Sequence, residues 1–369
     1  MQELLKGILG MSWQNIAMFI IAGILIYLAI AKEYEPTLLL PIGFGTILAN
    51  IPFSNALGEE GVLSILYNAG IKTELFPVLI FIAVGAMIDF GPLLKNPFML
   101  FFGAAAQFGI FATMLVATLL GFDLAEAATI GIIGAVDGPT SIVAAQKLAP
   151  GLIGPITVAA YSYMSLVPII QPPVIKLLTT KKERLIRMEY TEEKVPKSVK
   201  ILFPIIVTLL AGLIAPSSVA LVGFLMFGNL IRECGVLERL SKSAQNELAN
   251  IVTILLGITI GSTMVGEQFL NKRTLLIIGL GLVAFIFDTA GGVIFAKILN
   301  LFLKKKINPM IGAAGISAFP MSARVVQQLA TKEDPTNFII AQSISANVSG
   351  QLGSIVAGGM ILALVPLFM

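Results

Sequence analysis

Long apolar stretches dominate this chain of 369 residues, and short polar segments separate them. They lie at about 16–31, 37–52, 74–90, 97–121, 127–145, 151–178, 201–215, 217–231, 249–266, 274–302, 310–330 and 337–368. Each stretch is continuously apolar, with Gly, Ala and Ser scattered through it, which is typical of packed membrane helices. The pattern predicts an all-α protein whose helices cross a membrane repeatedly.

The composition supports the same class. Hydrophobic residues make up 57% of the chain and charged residues 12%, and the mean hydropathy is +0.93. Soluble domains contain about 25% charged residues. The apolar stretches are also too long and too numerous for a signal peptide followed by a globular domain. We therefore predict a multi-pass membrane protein.

One charged segment, 179–200, divides the chain into halves of similar pattern, 1–178 and 201–369. An offset of 181 positions lays 130–149 over 311–330, and eight of these twenty pairs are identical. The identical pairs are Ile130/Ile311, Gly131/Gly312, Gly134/Gly315, Pro139/Pro320, Ser141/Ser322, Gln146/Gln327, Leu148/Leu329 and Ala149/Ala330. We interpret the halves as an internal duplication joined by a linker.

Equivalent loops of the two halves differ in charge. The loop near 53–73 carries Glu59 and Glu60, whereas its counterpart near 232–248 carries Arg232, Arg239 and Lys242. Loops rich in Lys and Arg stay on the cytoplasmic side of a membrane. The halves are therefore expected to have opposite orientations. The same rule makes the linker cytoplasmic, because it carries Lys181, Lys182, Arg184 and Arg187.

This charge pattern fits ten transmembrane helices, five in each half, with both termini outside. Two further segments, 127–147 and 309–330, are then re-entrant, broken segments that enter from opposite faces. Inverted repeats with broken helices that meet near the midplane are the architecture of secondary transporters.

Asp137 is the most informative residue of the first broken segment, because it is the only charge in 127–146. Gly138 and Pro139 follow it and interrupt the helix, and the freed carbonyls together with a carboxylate suit a small hard cation such as sodium. Thr140 is a further oxygen ligand in this prediction. Asp137 could also cap the next helix, and the two roles are compatible.

The second broken segment carries Arg324, the only positive charge between Lys306 and Lys332. An arginine fork suits a carboxylate or carbamate bidentately, so we predict a cation that binds an anionic substrate group. The alternative is an interfacial arginine that reaches toward water. In the favoured interpretation Arg324 faces Asp137 across a shared cation pocket.

Polar residues within the last apolar stretch form a third candidate cluster. Asn347 and Ser349 are predicted sodium ligands, because neutral amide and hydroxyl oxygens coordinate hard cations. Polar adhesion between helices is the alternative. Tyr163, with Tyr161 beside it, is either a proton donor in this histidine-free chain or an interfacial aromatic anchor.

Two other acids leave their roles open. Asp288 lies near the middle of a predicted span and has either an ion or proton role, or a bond to a serine on a neighbouring helix. Asp89 stands at the end of its span, where helix capping is the favoured role. No phosphate loop or other nucleotide-binding motif occurs, so an ion gradient, light or a partner must supply the energy.

Several of these residues lie in stretches that resemble one known family. The stretches are Gly134-Ala-Val-Asp137-Gly-Pro-Thr140, Tyr163 with Pro172-Pro173, the set Asn308-Pro309, Gly312, Ser317, Pro320 and Arg324, and Asn347-Val-Ser-Gly350. Over essentially its whole length the chain resembles the β subunits of the biotin-dependent, sodium-pumping decarboxylases of oxaloacetate, methylmalonyl-CoA, glutaconyl-CoA or malonate.

The resemblance implies a division of labour between subunits. A carboxyltransferase subunit moves CO2 from the substrate to biotin on a biotin carrier protein. The β subunit then decarboxylates this carboxybiotin and couples the step to export of Na+, with consumption of a proton. It also implies a small single-span γ or δ subunit, a homotrimeric β core, an elevator-like motion, and a multi-pass location in the inner (cytoplasmic) membrane.

The residue roles carried over by the resemblance follow its motifs. Its catalytic residues are Asp137, Tyr163 and Arg324, its carboxybiotin contacts are Asn308, Gly312, Ser317 and Arg324, and its sodium ligands include Asp137 and Asn347. Asp288 takes no role from the resemblance. The competing classes are a sodium-coupled secondary transporter, namely a Na+:organic-anion symporter or a Na+/H+ exchanger, and a scaffold subunit without chemistry.

Overall fold

The computed structural model shows a helical protein, with no strand among the described residues. The described residues are 2–33, 35–58, 60–188, 195–214 and 216–369. The side chains of 2–5, Ser165 and Ile214 are not among them. Glu59, one of the loop charges used above to predict the orientation of the first half, also lies outside the described part. The middle of the linker, 189–194, does so as well.

Within its described residues, the first half contains eleven helices, several of them short. They are α1 Gln2–Leu9, α2 Trp13–Ala31, α3 Pro36–Asn50, α4 Val62–Leu66, α5 Leu75–Met87, α6 Gly91–Lys95, α7 Leu100–Ala106, α8 Phe108–Leu119, α9 Leu124–Ile132, α10 Gly138–Leu148 and α11 Ile153–Leu178. The linker begins with the short helix α12, Lys181–Arg184, which Thr180 and Glu183 close with a reciprocal capping box.

The second half has nine helices within its described residues. They are α13 Lys197–Ile214, α14 Val219–Glu233, α15 Glu238–Ser243, α16 Ala249–Ser262, α17 Gly266–Phe269, α18 Lys272–Phe302, α19 Met310–Ala313, α20 Met321–Glu333 and α21 Ile340–Leu364. Short 3-10 or π-helical turns extend or join several helices of both halves.

Four described helical stretches are long and apolar enough to cross a membrane: Trp13–Ala31, Pro97–Leu119, Lys272–Phe302 and Ile340–Leu367. Two bent pairs bring the number to six if each pair is one span; one bends by 59° between α4 and α5, the other by 67° within α11. An all-α membrane protein is therefore confirmed, whereas the count of ten crossings stays a prediction.

Breaks interrupt three of the helical stretches that surround the centre. Gln107 separates α7 from α8, residues 133–137 separate α9 from α10, and residues 314–320 separate α19 from α20. The last two coincide with the predicted broken segments. Broken backbone inside a membrane protein needs partners for its freed N–H and C=O groups, so these breaks are where chemistry is expected.

Helix packing is symmetric between the two halves. The helix α3 packs on α16, and α5 packs on α14. In the centre, α11 contacts α18 and α21 contacts α7, while α18 crosses both α7 and α8. Glycines allow the closest crossings: a Cβ at Gly85 would collide with the Leu225 carbonyl, and one at Gly228 with the Ile82 carbonyl.

Candidate functional site

The first break is a sharp change of backbone direction just before Asp137. The helix α9 tightens into a 3-10 turn, Ile133–Ala135, and Val136 then adopts a left-handed conformation with φ +56°. A β-branched residue is rarely found there, so the surrounding structure must hold Val136 in place. Asp137 itself is extended, and α10 begins at Gly138.

Asp137 is almost fully enclosed, with 3% of its surface exposed. Its Oδ1 accepts the backbone N–H of Thr140 at 3.3 Å, so it caps α10 as predicted. Its Oδ2 accepts the Thr140 hydroxyl at 2.7 Å and the Ser354 hydroxyl at 2.9 Å. No described Lys or Arg pairs with this carboxylate. A buried carboxylate held only by neutral donors calls for a cation or a proton.

The second break meets the first directly. The backbone N–H of Ser317 donates to the carbonyl oxygen of Ala135 at 3.0 Å, so the unwound chain of one broken segment pairs with that of the other. The hydroxyl groups of Ser317 and Ser354 lie 3.1 Å apart. Ser354 therefore bridges Ser317 to Asp137 and joins both breaks to α21.

Asn347 braces the second break from α21. Its amide Nδ2 donates to the carbonyls of Ala314 at 3.1 Å and Ile316 at 2.7 Å. Its Oδ1 is buried and accepts no hydrogen bond from the described residues. Asn347 precedes Ser354 by two helical turns, about 10 Å along the axis, and lies on the same face. A cation bound to Asn347 Oδ1 would thus lie beside the Asp137 cluster rather than inside it.

Ser349 faces a different neighbour. Its hydroxyl donates to the Leu100 carbonyl at 3.0 Å and accepts the Gly103 N–H at 3.1 Å, both at the start of α7. The structure therefore does not bring Ser349 to Asp137. The predicted alternative, adhesion between helices, describes its contacts.

Arg324 lies on the outer face of α20. Its side chain is exposed and makes no ion pair within the described part of the chain. The structure does not bring it to Asp137, because the exposed residues of α20 recur at a helical spacing of four, through Arg324, Gln328 and Lys332, away from the buried face. The guanidinium thus faces outward. Arg324 and Asp137 do not face each other across a shared pocket, contrary to the prediction.

Asn308 and Gly312 serve packing around the second break. Asn308 is fully buried, and its Nδ2 donates at 2.9 Å to the carbonyls of Arg184 and Ile186 in the linker. A Cβ at Gly312 would collide with the carbonyl of Gly292 on α18. These contacts place both residues away from the Asp137 carboxylate.

The two tyrosines of α11 lie in different surroundings. The Tyr163 hydroxyl donates to the Ile278 carbonyl on α18, and its ring packs at Gly281. The Tyr161 ring covers Gly138, where a Cβ would overlap it. Tyr161 is therefore the tyrosine next to Asp137, although the resemblance assigned the role to Tyr163.

The other two acids have definite partners. Asp89 accepts the N–H of Gly91 at 2.8 Å, so its predicted capping role is confirmed. Asp288 is fully buried in α18, and its Oδ1 accepts the backbone N–H of Ile110 at 3.2 Å. Of the two roles left open for Asp288, the bond to a serine on a neighbouring helix is not made within the described part of the chain, because the carboxyl accepts a backbone N–H at the break before α8 instead.

Sequence reasoning missed Ser354 as a site residue, although it lies in the polar cluster of the last apolar stretch. Its spacing of seven from Asn347 was the available signal, because residues two turns apart share a helix face. That Ser354 in the other half contacts Asp137 could not be predicted, since only the fold shows which α21 residue reaches Asp137.

Two broken membrane helices that meet beside a buried carboxylate define a class of membrane proteins that handle small ions. The model of one family, the Na+-transporting oxaloacetate decarboxylase beta subunit, matches residues 14–365. The chain belongs to this family. It is thus confirmed as the membrane subunit of a sodium-translocating decarboxylase.

Named relatives resemble the chain over nearly its full length. It is 54% identical to the methylmalonyl-CoA decarboxylase subunit beta of Veillonella parvula, covering 97% of this chain and 95% of that one. It is 52% identical to the glutaconyl-CoA decarboxylase subunit beta of Acidaminococcus fermentans, covering 98% and 96%. It is 44% identical to the oxaloacetate decarboxylase beta chain of Klebsiella pneumoniae, covering 96% of each.

Proposed function

We propose that this subunit decarboxylates carboxybiotin, which a partner carrier protein presents, and uses that step to export Na+ while consuming a proton. The observation that carries the proposal is the Asp137 carboxylate. It is buried where two broken helices meet, it is bonded to the Thr140 and Ser354 hydroxyls, and no described basic side chain neutralises it. A transported cation, or the proton that replaces it, is the missing counter-charge.

The proposed sodium ligands are oxygen atoms around this carboxylate. Asp137 and Thr140 come from the first break, and Ser317 and Ser354 complete the cluster from the second break and α21. A hydroxyl can turn its hydrogen away and offer a lone pair, so the same groups serve the sodium-bound and sodium-free states. Asn347, with its unbonded Oδ1, is a ligand of a neighbouring position, and Ser349 stays a weaker candidate because α7 occupies its hydroxyl.

Arg324 is proposed to bind the carboxylate of carboxybiotin. The exposed guanidinium, free of any ion pair within the described chain, is available to an anionic group on a docked partner. Asn308, Gly312 and Ser317 would shape the binding region, since they hold the second break and the linker beside it.

The proposed decarboxylation breaks the bond between the carboxyl carbon and the ureido nitrogen of biotin. The electron pair stays on nitrogen, which takes up one proton as neutral CO2 leaves. Tyr163 is the proposed proton donor, although its hydroxyl now bonds to the Ile278 carbonyl and must leave it to act. Sodium and the proton would compete for Asp137, and this competition links the two flows.

We further propose that residues 1–178 and 201–369 are two inverted repeats joined by the linker 179–200. The offset of 181 positions places α3 over α14 and α5 over α16, so the α3–α16 contact becomes the α14–α5 contact. It likewise exchanges the α11–α18 contact with the α21–α7 contact. This exchange supports a duplication, and with it ten crossings and an elevator-like movement of the broken segments.

The proposed assembly follows from this activity. A carboxyltransferase subunit loads the biotin carrier, a small single-span γ or δ subunit joins them, and the β core is a homotrimer in the inner cell membrane. The subunits named for the relatives act on different acyl substrates, so this choice is proposed to belong to the carboxyltransferase rather than to this chain.

Reconstitution of the complete complex in liposomes tests the proposal. Wild-type complex should take up Na+ only while carboxybiotin is consumed, and Asp137→Asn should abolish both Na+-stimulated decarboxylation and Na+ uptake. Asp89→Asn is the matched control, because this acid caps α6 and pairs with Lys200 at 3.4 Å, outside the two breaks. Flux driven by a solute gradient without carboxybiotin would instead support the symporter class, and full activity of Asp137→Asn would refute the assignment.

A further inference from the structure

Asp288 is a buried acid that the proposed mechanism does not use. It lies near the middle of α18, a helix of 31 residues, and none of its surface is exposed. An acid at membrane depth is expensive to keep unless its neighbours need it. Its two carboxyl oxygens face different breaks.

The first oxygen completes the break between α7 and α8. Because the helix is interrupted at Gln107, the N–H of Ile110 has only a 3-10-type bond within its own chain segment, to the Gln107 carbonyl at 3.1 Å. The Oδ1 of Asp288 also accepts this N–H, at 3.2 Å. A side chain of α18 thus caps the start of α8. The glycine at position 109 makes space for this carboxyl, since a Cβ there would overlap Oδ1.

The second oxygen lies against the 3-10 turn that precedes Asp137. A Cβ at Gly134 would lie 2.7 Å from Asp288 Oδ2 and 2.7 Å from the Ala284 Cβ. The turn is therefore seated directly on α18, between Ala284 and Asp288. Oδ2 has no hydrogen-bond partner among the described residues, so on this side it acts through contact.

The 3-10 turn is connected to both parts of the proposed ion site. Its last residue, Ala135, receives the Ser317 N–H, and two residues later the chain reaches Asp137. Val136 between them is in its left-handed conformation and leaves little slack. A shift of the turn on α18 would move the carboxylate and the second break together.

The offset of 181 positions between the proposed repeats gives independent support for a structural role of Asp288 at the α7–α8 break. Gln107 and Asp288 are separated by the same 181 positions that relate the two broken segments. Both are buried polar side chains where α18 crosses the α7–α8 break, and Gln107 Nε2 bonds to the Gly103 carbonyl at 2.9 Å. Each half thus contributes one polar side chain that forms a hydrogen bond with the backbone at the α7–α8 break.

We infer that Asp288 is a positioning residue of the sodium site: it pins the α7–α8 break with one oxygen and seats the turn before Asp137 with the other. The inference rests on the proposed sodium site at Asp137. It requires that the Asp288 side chain keep its shape and an oxygen atom that accepts the Ile110 N–H. It does not require sodium or the transferred proton to touch that carboxyl.

Two substitutions in the complete reconstituted complex separate shape from charge. Asp288→Asn keeps the shape and an acceptor oxygen for Ile110, so the Na+ concentration for half-maximal decarboxylation should stay within about twofold of wild type. Asp288→Leu loses the acceptor and should raise this concentration about tenfold or more, as expected when a site is displaced rather than removed. The rate at saturating Na+ should fall much less.

Gly134→Ala perturbs the contact between the 3-10 turn and Asp288 from the side of the turn. It tests the inference even if Asp288→Leu fails to assemble. It should also raise the half-maximal Na+ concentration. Combined with Asp288→Ala, which removes the contact with Oδ2 but leaves the one with Ala284, its effect should be smaller than the sum of the single effects.

Loss of the rate at saturating Na+ in Asp288→Asn would overturn the inference, because an ionisable role would then be required. Additive effects in the double variant, or an unchanged Na+ dependence in Gly134→Ala, would also overturn it. The Asp137→Asn result keeps the two hypotheses apart. If that variant loses Na+ stimulation while the Gly134 and Asp288 variants behave as wild type, positioning fails and the ion site stands.

Discussion

The backbone N–H of Ser317 donates to the carbonyl of Ala135 at 3.0 Å, and this one bond joins the two broken segments of the molecule. Ala135 ends the 3-10 turn after α9, and Ser317 lies in the unwound chain between α19 and α20. A hydrogen bond between freed backbone groups is worth more inside a membrane protein, where no bulk water competes for them. The ion site is thus built on a contact between the two halves, and neither half forms it alone.

Removing the Ser354 hydroxyl should weaken sodium binding specifically. Ser354→Ala deletes a donor at 2.9 Å from Asp137 and the link to Ser317, while the fold keeps its α21 contacts. Hydrogen bonds to charged groups contribute about 1.5–3 kcal/mol. We therefore expect the Na+ concentration for half-maximal decarboxylation to rise about tenfold or more.

Ser343→Ala is the matched control for this measurement, because the Ser343 hydroxyl bonds only to the Ile339 carbonyl one turn earlier in the same region. It should leave the Na+ dependence unchanged. Equal Na+ dependence in the Ser354 and Ser343 variants would remove Ser354 from the ion site.

The sequence predicted the membrane class, the positions of both breaks and the capping role of Asp137, because these depend on local signals. Glycine and proline interrupt helices wherever they fall, and an acid before Gly138 and Pro139 caps the helix that starts there. The structure agrees at each of these points, since α10 begins at Gly138 and α20 at Met321.

Contacts between distant segments were beyond local signals. Ser354 reaches Asp137 across 217 positions, and Asp288 reaches Ile110 across 178. The direction of Arg324 also depends on which face of α20 is buried, and its neighbours Ala323 and Val325 occupy that face. The resemblance assigned roles to residues, but only the packing shows which of them touch.

Gly312→Ala should destabilise the protein through a backbone collision. A Cβ at Gly312 would strike the Gly292 carbonyl, and the Gly292 position is equally closed, so α18 and α19 must separate. Overpacking of this kind costs about 1–3 kcal/mol. The midpoint of thermal unfolding in detergent should fall, with loss of decarboxylation following the unfolded fraction.

Gly279→Ala is the counterpart on α18, because no atom of a neighbouring residue lies within 4 Å of the position that the added methyl would take. It should leave stability unchanged or raise it slightly, since alanine favours a helix more than glycine does. A similar loss of stability in both variants would show that the collision with the Gly292 carbonyl does not explain the Gly312 result.

Arg324→Lys and Arg324→Gln should separate charge from geometry at the carboxybiotin site. Arg324 makes no ion pair among the described residues, so neither change should disturb folding. Lysine keeps the charge but loses the bidentate fork. We expect KM for the carboxylated carrier to rise in Arg324→Lys and to rise further in Arg324→Gln, each with an unchanged half-maximal Na+ concentration.

Gln328→Ala is the control on the same exposed face of α20 and should leave both constants unchanged. A rise in the Na+ requirement of the Arg324 variants, without a change in KM for the carrier, would contradict the assigned role and return Arg324 to the ion site.

Docking of the linker on the second half should be lost in acid. Asp334 follows α20, and the Thr336 hydroxyl, the Thr336 backbone N–H and the Arg187 guanidinium together lower the pKa of its carboxyl to about 2, from an ordinary 3.8. The two largest causes lie at Thr336, within the same loop, so only the Arg187 part of the lowered pKa links the ionised carboxylate to docking of the linker, and that part is fully present above about pH 4. This contribution is lost as the pH falls from about 4 toward 2.

Limited proteolysis of the linker at a series of pH values, with an acid-stable protease, measures this release. Cleavage near Arg187 should increase below about pH 4 in the wild-type complex, because protonation of Asp334 removes the partner that holds the arginine. Asp334→Asn should show the higher cleavage at every pH and lose the dependence. The neighbouring pair of Arg184 and Glu333 remains in that variant, so a linker that stays protected in Asp334→Asn would assign its docking to Arg184 and to the Asn308 amide instead.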